Sequence, residues 1–405
     1  MNRVVVTGLG VVSSIGIGAS AFWEHLLQGR SGFSPVESFD TSKYHVHLGG
    51  EVKGFSPEDY VSELDPASVG RSSLFAIAAS RLALEDSELD LSSLDLSRAG
   101  VSAGTTSGEP NEIERFDDSR LAGELESAGP GILTRYPCHH IPAYVAAELG
   151  FGGRNIMLPA ACAAGTYAIS HAYDLLRSGK ADLMLAGGAD SFSRITYSGF
   201  AQLKAIAPER CQPFDLNRQG MILAEGSAML VLEPKDRAVA RGARIYAEIA
   251  GYGLASDAYH MTGGHPEEEG SVRAMTHALR ESGVAADEVS YISAHGTGTP
   301  TNDLHETRAV KMVFGEAAYR VPISSVKSMI GHTMGAASAI ESAVCALAAY
   351  HDRIPPTMNL TDPDPECDLD YVPNEARDLR VDVAMNNAYA FGGVNASLVL
   401  RKFRG

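Results

Sequence analysis

The residue best suited to chemistry is Cys162, which lies in a turn of small residues between two patterned segments. The segment Asn-Ile-Met-Leu at 155–158 predicts a short buried strand. A helix is predicted next, because apolar residues recur at helical spacing at Ile169, Ala172, Tyr173 and Leu176. A thiol at this junction would face unpaired backbone N–H groups and the helix dipole, which favour a lowered pKa and the nucleophilic thiolate. The alternative is a small buried core cysteine.

Two histidines, His295 and His332, follow predicted strands in the same way. The strands are predicted at 289–294 and 322–326, and the histidines lie among Gly, Thr and Ser. Since sites in α/β sheets form beyond the carboxyl ends of strands, the cysteine and both histidines could converge there. The alternative for each histidine is a structural or surface position.

Two other chemistries of these residues find no support in the spacing. A zinc site would need ligands at characteristic separations, and no carboxylate accompanies Cys162, His295 and His332 at such a spacing. We therefore expect no bound metal. A serine hydrolase would need a G-x-S-x-G turn, whereas residues 160–164 read Ala-Ala-Cys-Ala-Ala.

The elements that would position these residues occur twice along the chain. The stretch at 100–108 is similar to 289–299, and the Cys162 unit is similar to the strand, turn and Ala-rich helix of 322–350. This repetition predicts an α/β protein of two duplicated halves, 1–244 with the cysteine and 245–405 with both histidines. Alternating strands and helices predict mainly parallel sheets covered by helices. The polar stretch 109–135 is predicted to be a surface insertion.

Composition and charge argue against several classes of function. The 405 residues carry a formal net charge of −17, which disfavours nucleic acid and anionic membranes as partners. Five cysteines without C-x-x-C spacing argue against a disulfide framework. No apolar run is long enough to span a bilayer, and the chain enters a strand at 4–6 without a signal-peptide layout. We therefore expect a cytoplasmic protein.

Four segments carry a recognisable combination of motifs, at 161–165, 295–299, 327–332 and 391–395. They read Ala-Cys-Ala-Ala-Gly, His-Gly-Thr-Gly-Thr, Lys-Ser-Met-Ile-Gly-His and Phe-Gly-Gly-Val-Asn. In this order they resemble the β-ketoacyl-[acyl-carrier-protein] synthases, specifically the elongating, decarboxylative class of fatty acid and type II polyketide systems. The resemblance covers nearly the whole chain. It implies the thiolase fold, in which two similar halves stack as five layers, α-β-α-β-α.

The resemblance also implies an activity, the decarboxylative Claisen condensation of an acyl thioester with malonyl-carrier protein in polyketide, polyene or fatty acid biosynthesis. No cofactor is implied beyond the 4′-phosphopantetheine of the acyl carrier protein. The implied partners are that carrier protein and a second subunit, either an identical chain or a chain-length-factor subunit. The alternative function is a non-catalytic scaffolding subunit, but such subunits lack the cysteine. A thiolase is excluded because 391–394 contains no second cysteine.

The resemblance assigns roles to the central residues. Cys162 would accept the acyl chain from the carrier protein. His295 and His332 would donate Nε2–H hydrogen bonds to the malonyl thioester carbonyl and stabilise the enolate left when CO2 departs. The backbone N–H groups of Cys162 and Phe391 would form the oxyanion hole.

Four further residues would support this centre in the family scheme. Lys327 would set the electrostatics of the site together with Glu341 on the following helix. Thr297 and Thr299 would hydrogen-bond the pantetheine arm.

The loop 389–393, which resembles the family's gate to the acyl pocket, departs from the family pattern. Ala390 stands where the family usually has glycine and Tyr389 where it usually has phenylalanine, whereas Phe391, Gly392 and Gly393 follow the pattern. Alanine reaches fewer backbone angles than glycine. We therefore expect the loop to be held nearer one state, with Tyr389 fixing it through its hydroxyl. The alternative is that Ala390 has backbone angles that alanine tolerates and that the change is silent.

The docking surface for an acidic carrier protein is also altered. The family's usual run of Lys and Arg is reduced to Arg71 in the segment 66–73, and Lys204 and Arg210 are the other candidate docking residues. With so few cations on an acidic protein, we expect a weak and salt-sensitive contact. Together with the altered loop, this surface indicates a specialised synthase.

Overall fold

One mixed sheet forms the frame of the protein. The structure, a computed structural model, describes residues 1–124, 129 and 131–405. Within these residues eleven strands join the large sheet and two short pairs lie apart from it. In chain order the strands are β1 Val4–Ser13, β2 Gly16–Ile17, β3 Ser34–Pro35, β4 Leu48–Gly49, β5 Ala99–Gly104, β6 Asn155–Leu158, β7 Leu183–Asp190, β8 Gly226–Pro234, β9 Ala247–Ser256, β10 Tyr291–Ser293, β11 Ile323–Ser324, β12 Arg353–Ile354, β13 Arg377–Asp378, β14 Val383–Ala390 and β15 Val394–Arg401.

The order of strands in the sheet repeats between the two halves of the chain. From its edge to the centre, one half reads β6-β5-β7-β8-β1 and the other reads β11-β10-β14-β15-β9. The two outer pairings of each half are parallel and the two inner pairings are antiparallel. The halves meet where Val4–Val6 of β1 pairs with Ala247–Ile249 of β9. This repeat confirms the predicted duplication.

The predicted predominance of parallel strands is wrong. In the described part of the sheet, antiparallel pairs outnumber parallel ones. The connection between β14 and β15 contains only residues 391–393. So short a turn can join only antiparallel strands, because a parallel pair needs a crossover of a dozen or more residues.

Helices cover both faces of each half and fill the space between them. Among the described residues no helix is both long and apolar enough to cross a membrane. The helices are α1 Ala19–Leu27, α2 Arg71–Asp86, α3 Pro110–Ala122, α4 Ile132–Arg135, α5 His140–Leu149, α6 Ala164–Arg177, α7 Arg194–Gln202, α8 Lys235–Ala240, α9 Glu269–Ser282, α10 Pro300–Phe314, α11 Lys327–Ile330 and α12 Ala337–His351.

The layers follow the predicted α-β-α-β-α arrangement. Helices α2 and α5 lie on the outer face of the first half, and α9 and α10 on that of the second. Helices α6 and α12 pack against each other between the halves, and α12 is buried from Ala337 to Ala349. Small side chains make this possible. A Cβ at Gly165 would lie 2.5 Å from the backbone nitrogen of Ala339, so glycine is required at the contact.

The predicted polar insertion at 109–135 contains α3 and α4. Only Pro110 and Glu112 of α3 are buried, which agrees with a surface position. Residues 125–128 and 130 of this stretch lie outside the described residues.

Candidate active site

Cys162 lies in the turn that connects β6 to α6. Residues Ala161–Ala163 form a single 3₁₀ turn, and α6 begins at the next residue. Ala161 has a φ of 47°, a left-handed angle that turns the chain sharply after the strand. The predicted strand, turn and helix are therefore present, with the thiol at the N-terminal end of α6. The predicted burial of the strand is wrong, because β6 lies at the edge of the sheet, where Asn155 is exposed and 156–158 are only partly buried.

The predicted lowering of the thiol pKa is wrong for the structure as it stands. Burial raises the pKa of Cys162 to about 12, although the nearby Lys327 ammonium acts in the opposite direction. The free-energy cost of burying a thiolate exceeds the electrostatic stabilisation that the helix N-terminus and this cation provide. The resting residue is thus a neutral thiol, which must lose its proton when a thioester arrives.

His295 and His332 converge on the cysteine. The thiol sulfur and one ring nitrogen of each histidine lie within 4.8 Å of one another. His295 follows β10 and His332 follows β11 and α11. The two rings are nearly perpendicular, with centroids 5.6 Å apart. Strand ends of the second half thus meet the cysteine turn of the first half at one point.

Hydrogen bonds assign the protons on both imidazoles. The backbone N–H of Met334 donates to Nδ1 of His332 at 3.0 Å. The ammonium of Lys327 lies 3.5 Å from Nδ1 of His295. Each Nδ1 is therefore an acceptor, and the proton of each ring is on Nε2. Burial and the Lys327 charge hold the pKa of both histidines well below its usual value, so both are neutral Nε2–H donors.

Lys327 is paired with Glu341 in the interior. Its ammonium donates to the Glu341 carboxylate, and both side chains are almost completely buried. Burial raises the pKa of Glu341 to about 7, even though the Lys327 charge acts in the opposite direction. Because Glu341 belongs to the central helix α12, the ion pair fixes the cation that faces His295.

Two buried carboxylates at the site were missed by the sequence analysis. Glu306 accepts the backbone N–H groups of His295 and Gly296 at 2.9 and 2.8 Å, and burial raises its pKa to about 8. Asp190 accepts the backbone N–H groups of Thr106 and Gly335, both at 2.8 Å. It thereby ties the loop after β5 to the segment after His332. An acidic residue ending an apolar strand, as Asp190 ends β7, was the available indication.

Thr297 and Thr299 line the cavity that leads to the cysteine. Their hydroxyl oxygens are 2.8 Å apart. The cavity has a volume of about 360 Å³ and is lined by Cys162, both histidines and the loop 389–391. The threonines therefore line the same cavity as the thiol, and their role in binding a pantetheine arm stays a prediction.

The loop 389–393 is held differently from the prediction. Ala390 has φ −129° and ψ 155°, extended angles that any residue adopts, so it carries no strain here. The hydroxyl of Tyr389 has no hydrogen-bond partner among the described residues, so the proposed fixing of the loop through it is wrong. Instead, Gly392 N–H donates to the Met261 carbonyl at 2.8 Å, and Gly393 accepts from the N–H of Asp257 at 2.8 Å.

The end of this loop requires glycine, and its exposed side chain is aromatic. Gly392 and Gly393 have φ of 82° and 72°, in the left-handed region that favours glycine. Phe391 is 37% exposed, lines the cavity and stacks on Phe200 with ring centroids 5.6 Å apart. Its role as a gate stays a prediction.

One of the three candidate docking residues, Arg71, forms an ion pair within the chain. Arg71 donates from Nε to the buried carboxylate of Glu225 at 2.8 Å, which neutralises its charge within the chain. It is therefore a poor docking residue, contrary to the prediction. Lys204 and Arg210 are exposed, and neither has an ion-pair partner among the described residues. Lys204 also lines the cavity.

The convergence of Cys162, His295 and His332 also forms a possible metal-ligand set, which their sequence spacing did not suggest. The electrostatics oppose this use. The buried ammonium of Lys327 lies 3.5 Å from His295, where it would repel a divalent cation in a region of low dielectric. The donor set therefore fits thioester chemistry better than zinc.

Comparison with known families identifies the family to which the chain belongs. The β-ketoacyl synthase N-terminal domain matches residues 1–238, and the β-ketoacyl synthase C-terminal domain matches residues 246–361. The chain belongs to the β-ketoacyl synthase family. Members of this family are condensing acyltransferases, and the four motifs lie where the structure brings the site together.

Individual relatives resemble the chain over its full length. It is 39% identical to a 3-oxoacyl-[acyl-carrier-protein] synthase 2 of Synechocystis sp., covering 100% of this chain and 99% of the relative. The solved ishigamide ketosynthase/chain length factor matches with a TM-score of 0.96 and 40% identity, covering 100% of both chains. A type II polyketide ketosynthase in complex with its acyl-carrier protein matches with a TM-score of 0.91 and 33% identity, again covering 100% of both chains.

Proposed function

We propose that this β-ketoacyl synthase catalyses the decarboxylative Claisen condensation of an acyl thioester with malonyl-carrier protein. The observation that carries the proposal is the convergence, within 4.8 Å, of one thiol and two neutral imidazoles in the lining of a cavity. Each imidazole has its proton on Nε2, because its Nδ1 accepts from another group. A nucleophile beside two aligned hydrogen-bond donors suits acyl transfer followed by enolate formation.

The reaction takes three steps, acyl transfer, decarboxylation and condensation, and none of them needs a redox or metal cofactor. The Cys162 sulfur attacks the acyl carbonyl, the bond to the carrier sulfur breaks, and the Cys162 proton goes to the departing pantetheine thiolate. The malonyl carbonyl then receives hydrogen bonds from His295 and His332 while its bond to the carboxylate breaks and CO2 leaves. The electron pair remains as an enolate, which attacks the acyl carbon and releases the Cys162 thiolate, which takes up a proton.

Specialised polyketide biosynthesis is the pathway we favour, with fatty acid elongation as the second candidate. The departures at Tyr389 and Ala390 and the similarity to the ishigamide ketosynthase/chain length factor support the first. The similarity to a 3-oxoacyl-[acyl-carrier-protein] synthase 2 supports the second. We further propose an acyl carrier protein as partner, a dimer with an identical or chain-length-factor subunit, a division of the chain at 244/245, and a cytoplasmic location.

Formation of an acyl adduct on Cys162 tests the proposed function. Incubation of the purified protein with acyl-carrier protein should add the mass of one acyl group, because Cys162 is the cysteine that lines the cavity in the described structure. Intact-mass spectrometry measures the adduct, and peptide mapping assigns it. A scaffolding subunit would gain no mass, and an adduct on Cys211 or Cys345 would contradict the assignment.

For carrier docking we expect Lys204 and Arg210 to make a weak electrostatic contact. Reversing both charges with Lys204→Glu/Arg210→Glu should raise the Kd for the carrier protein about tenfold at low salt, with a smaller effect at high salt. Lys180→Glu is the matched control, since this exposed lysine follows the opposite end of α6 from Cys162. Titration calorimetry measures the Kd, and an unchanged value for the double variant would place docking elsewhere.

A further inference from the structure

Tyr389 has a hydroxyl group at the active site that forms no hydrogen bond with the described residues of the chain. Its side chain lines the cavity that contains Cys162, His295 and His332. Its hydroxyl oxygen is buried, and no described residue offers it a hydrogen bond. A buried hydroxyl without a partner costs free energy, and phenylalanine would fill the same space without that cost. The hydroxyl is therefore expected to have a partner that arrives with the substrate.

The position of the Tyr389 ring limits which part of the substrate can be the partner of its hydroxyl. Tyr389 meets His295 edge to face, with centroids 5.9 Å apart and planes at 69°. Burial, and the charge of Glu306 beneath the His295 loop, hold the pKa of Tyr389 well above its usual value. The phenol is thus neutral and can donate. His295 and His332 are themselves only 4% and 1% exposed.

The number of hydrogen-bond acceptors on the substrate limits which group the Tyr389 hydroxyl can bond. The thioester carbonyl of a malonyl unit has two lone pairs, and the two imidazole N–H donors occupy both. A third donor beside His295 must therefore meet the next acceptor along the substrate. In a malonyl unit that acceptor is the carboxylate, two bonds from the carbonyl carbon, and a simple acyl chain has no equivalent.

We propose that Tyr389 binds the malonyl unit by donating a hydrogen bond from its phenol to the substrate carboxylate. This inference rests on the proposed function of the site. The bond would hold the carboxylate while the malonyl unit is bound. It weakens as the carboxylate becomes CO2, because the negative charge moves to the enolate at the histidines. Its contribution is therefore to ground-state binding and hardly to the transition state.

Tyr389→Phe tests this in two separate half-reactions. In the Cys162→Gln background, conversion of malonyl- to acetyl-carrier protein should show a KM raised about tenfold and a kcat that does not fall. With Cys162 intact, acylation by the acyl-carrier substrate that the wild-type enzyme loads best should stay within about twofold, because that substrate has no carboxylate. Mass spectrometry of the carrier protein and of the enzyme follows the two reactions.

Tyr291→Phe is the matched control, because it removes a buried phenol bonded to Ser324 at 2.8 Å in the core of the same half. It should lower the melting temperature without separating the two half-reactions. An unchanged malonyl KM in Tyr389→Phe, as expected if the phenol only bonds a water, overturns the inference. Equal slowing of both half-reactions also overturns it. Absence of decarboxylation in Cys162→Gln alone would instead contradict the proposed function.

Discussion

Cys162→Ala should reduce condensation by at least about 10⁴-fold, because it removes the nucleophile that carries the acyl chain. The remaining cysteines cannot substitute for it. Cys211, Cys345 and Cys367 are buried and do not line the cavity, and Cys138 lies beside Gly108 in the first half. Elongation of acyl-carrier substrate, measured by mass spectrometry of the carrier-bound product, is the readout. Substantial residual elongation would contradict the assignment.

Cys162→Gln separates the cysteine from the histidines. The glutamine amide can occupy the place of the acyl group, while both imidazoles keep their Nε2–H donors. Decarboxylation of malonyl-carrier protein should therefore persist or increase although condensation is lost. If acetyl-carrier protein forms no faster than in the absence of enzyme, the division of roles between Cys162 and the two histidines is wrong.

Lys327→Met should both destabilise the protein and inactivate it. The substitution leaves the Glu341 carboxylate buried without its cation, which costs about 3–5 kcal/mol of unfolding free energy. It also removes the group that faces Nδ1 of His295 and keeps the proton of that ring on Nε2. We expect malonyl decarboxylation to fall by about 10²-fold or more, as when one hydrogen-bond donor to an oxyanion is lost.

The double variant Lys327→Met/Glu341→Met distinguishes the two effects. Replacing a buried ion pair by apolar side chains of similar volume is often neutral or stabilising, so urea unfolding should show most of the stability restored. Activity should not return, since His295 still lacks its cationic partner. Recovery of decarboxylation together with stability would mean that Lys327 has only a structural role.

Much of this protein could be predicted from local sequence patterns. The helix after Cys162 follows from the spacing of its apolar residues, and the turn before it from a run of small side chains. The duplication follows from units of the same type in the same order, and the sheet confirms it strand by strand. These features depend on residues close together in the chain, where periodicity and backbone sterics decide the structure.

Other features depend on groups far apart in the chain, and the sequence alone could not predict them. The pKa of Cys162 was predicted to fall, yet burial by the packed halves raises it. Arg71 was expected to meet a carrier protein, yet Glu225, more than 150 positions away, neutralises it. The parallel sheet was inferred from element order, but pairing direction depends on which strands become neighbours.

The sequence by itself therefore predicted the family, the repeated α/β halves, and the cysteine and two histidines that the structure brings together. The tertiary structure alone decided how these groups are charged and where their protons lie. Lys327 faces Nδ1 of His295, Met334 N–H occupies Nδ1 of His332, and the Tyr389 phenol is left without a partner beside them. Desolvation depends on which atoms exclude water from a group, and hydrogen bonding depends on which partners lie within reach of it. Only the folded interior determines both, because these atoms come from distant parts of the chain.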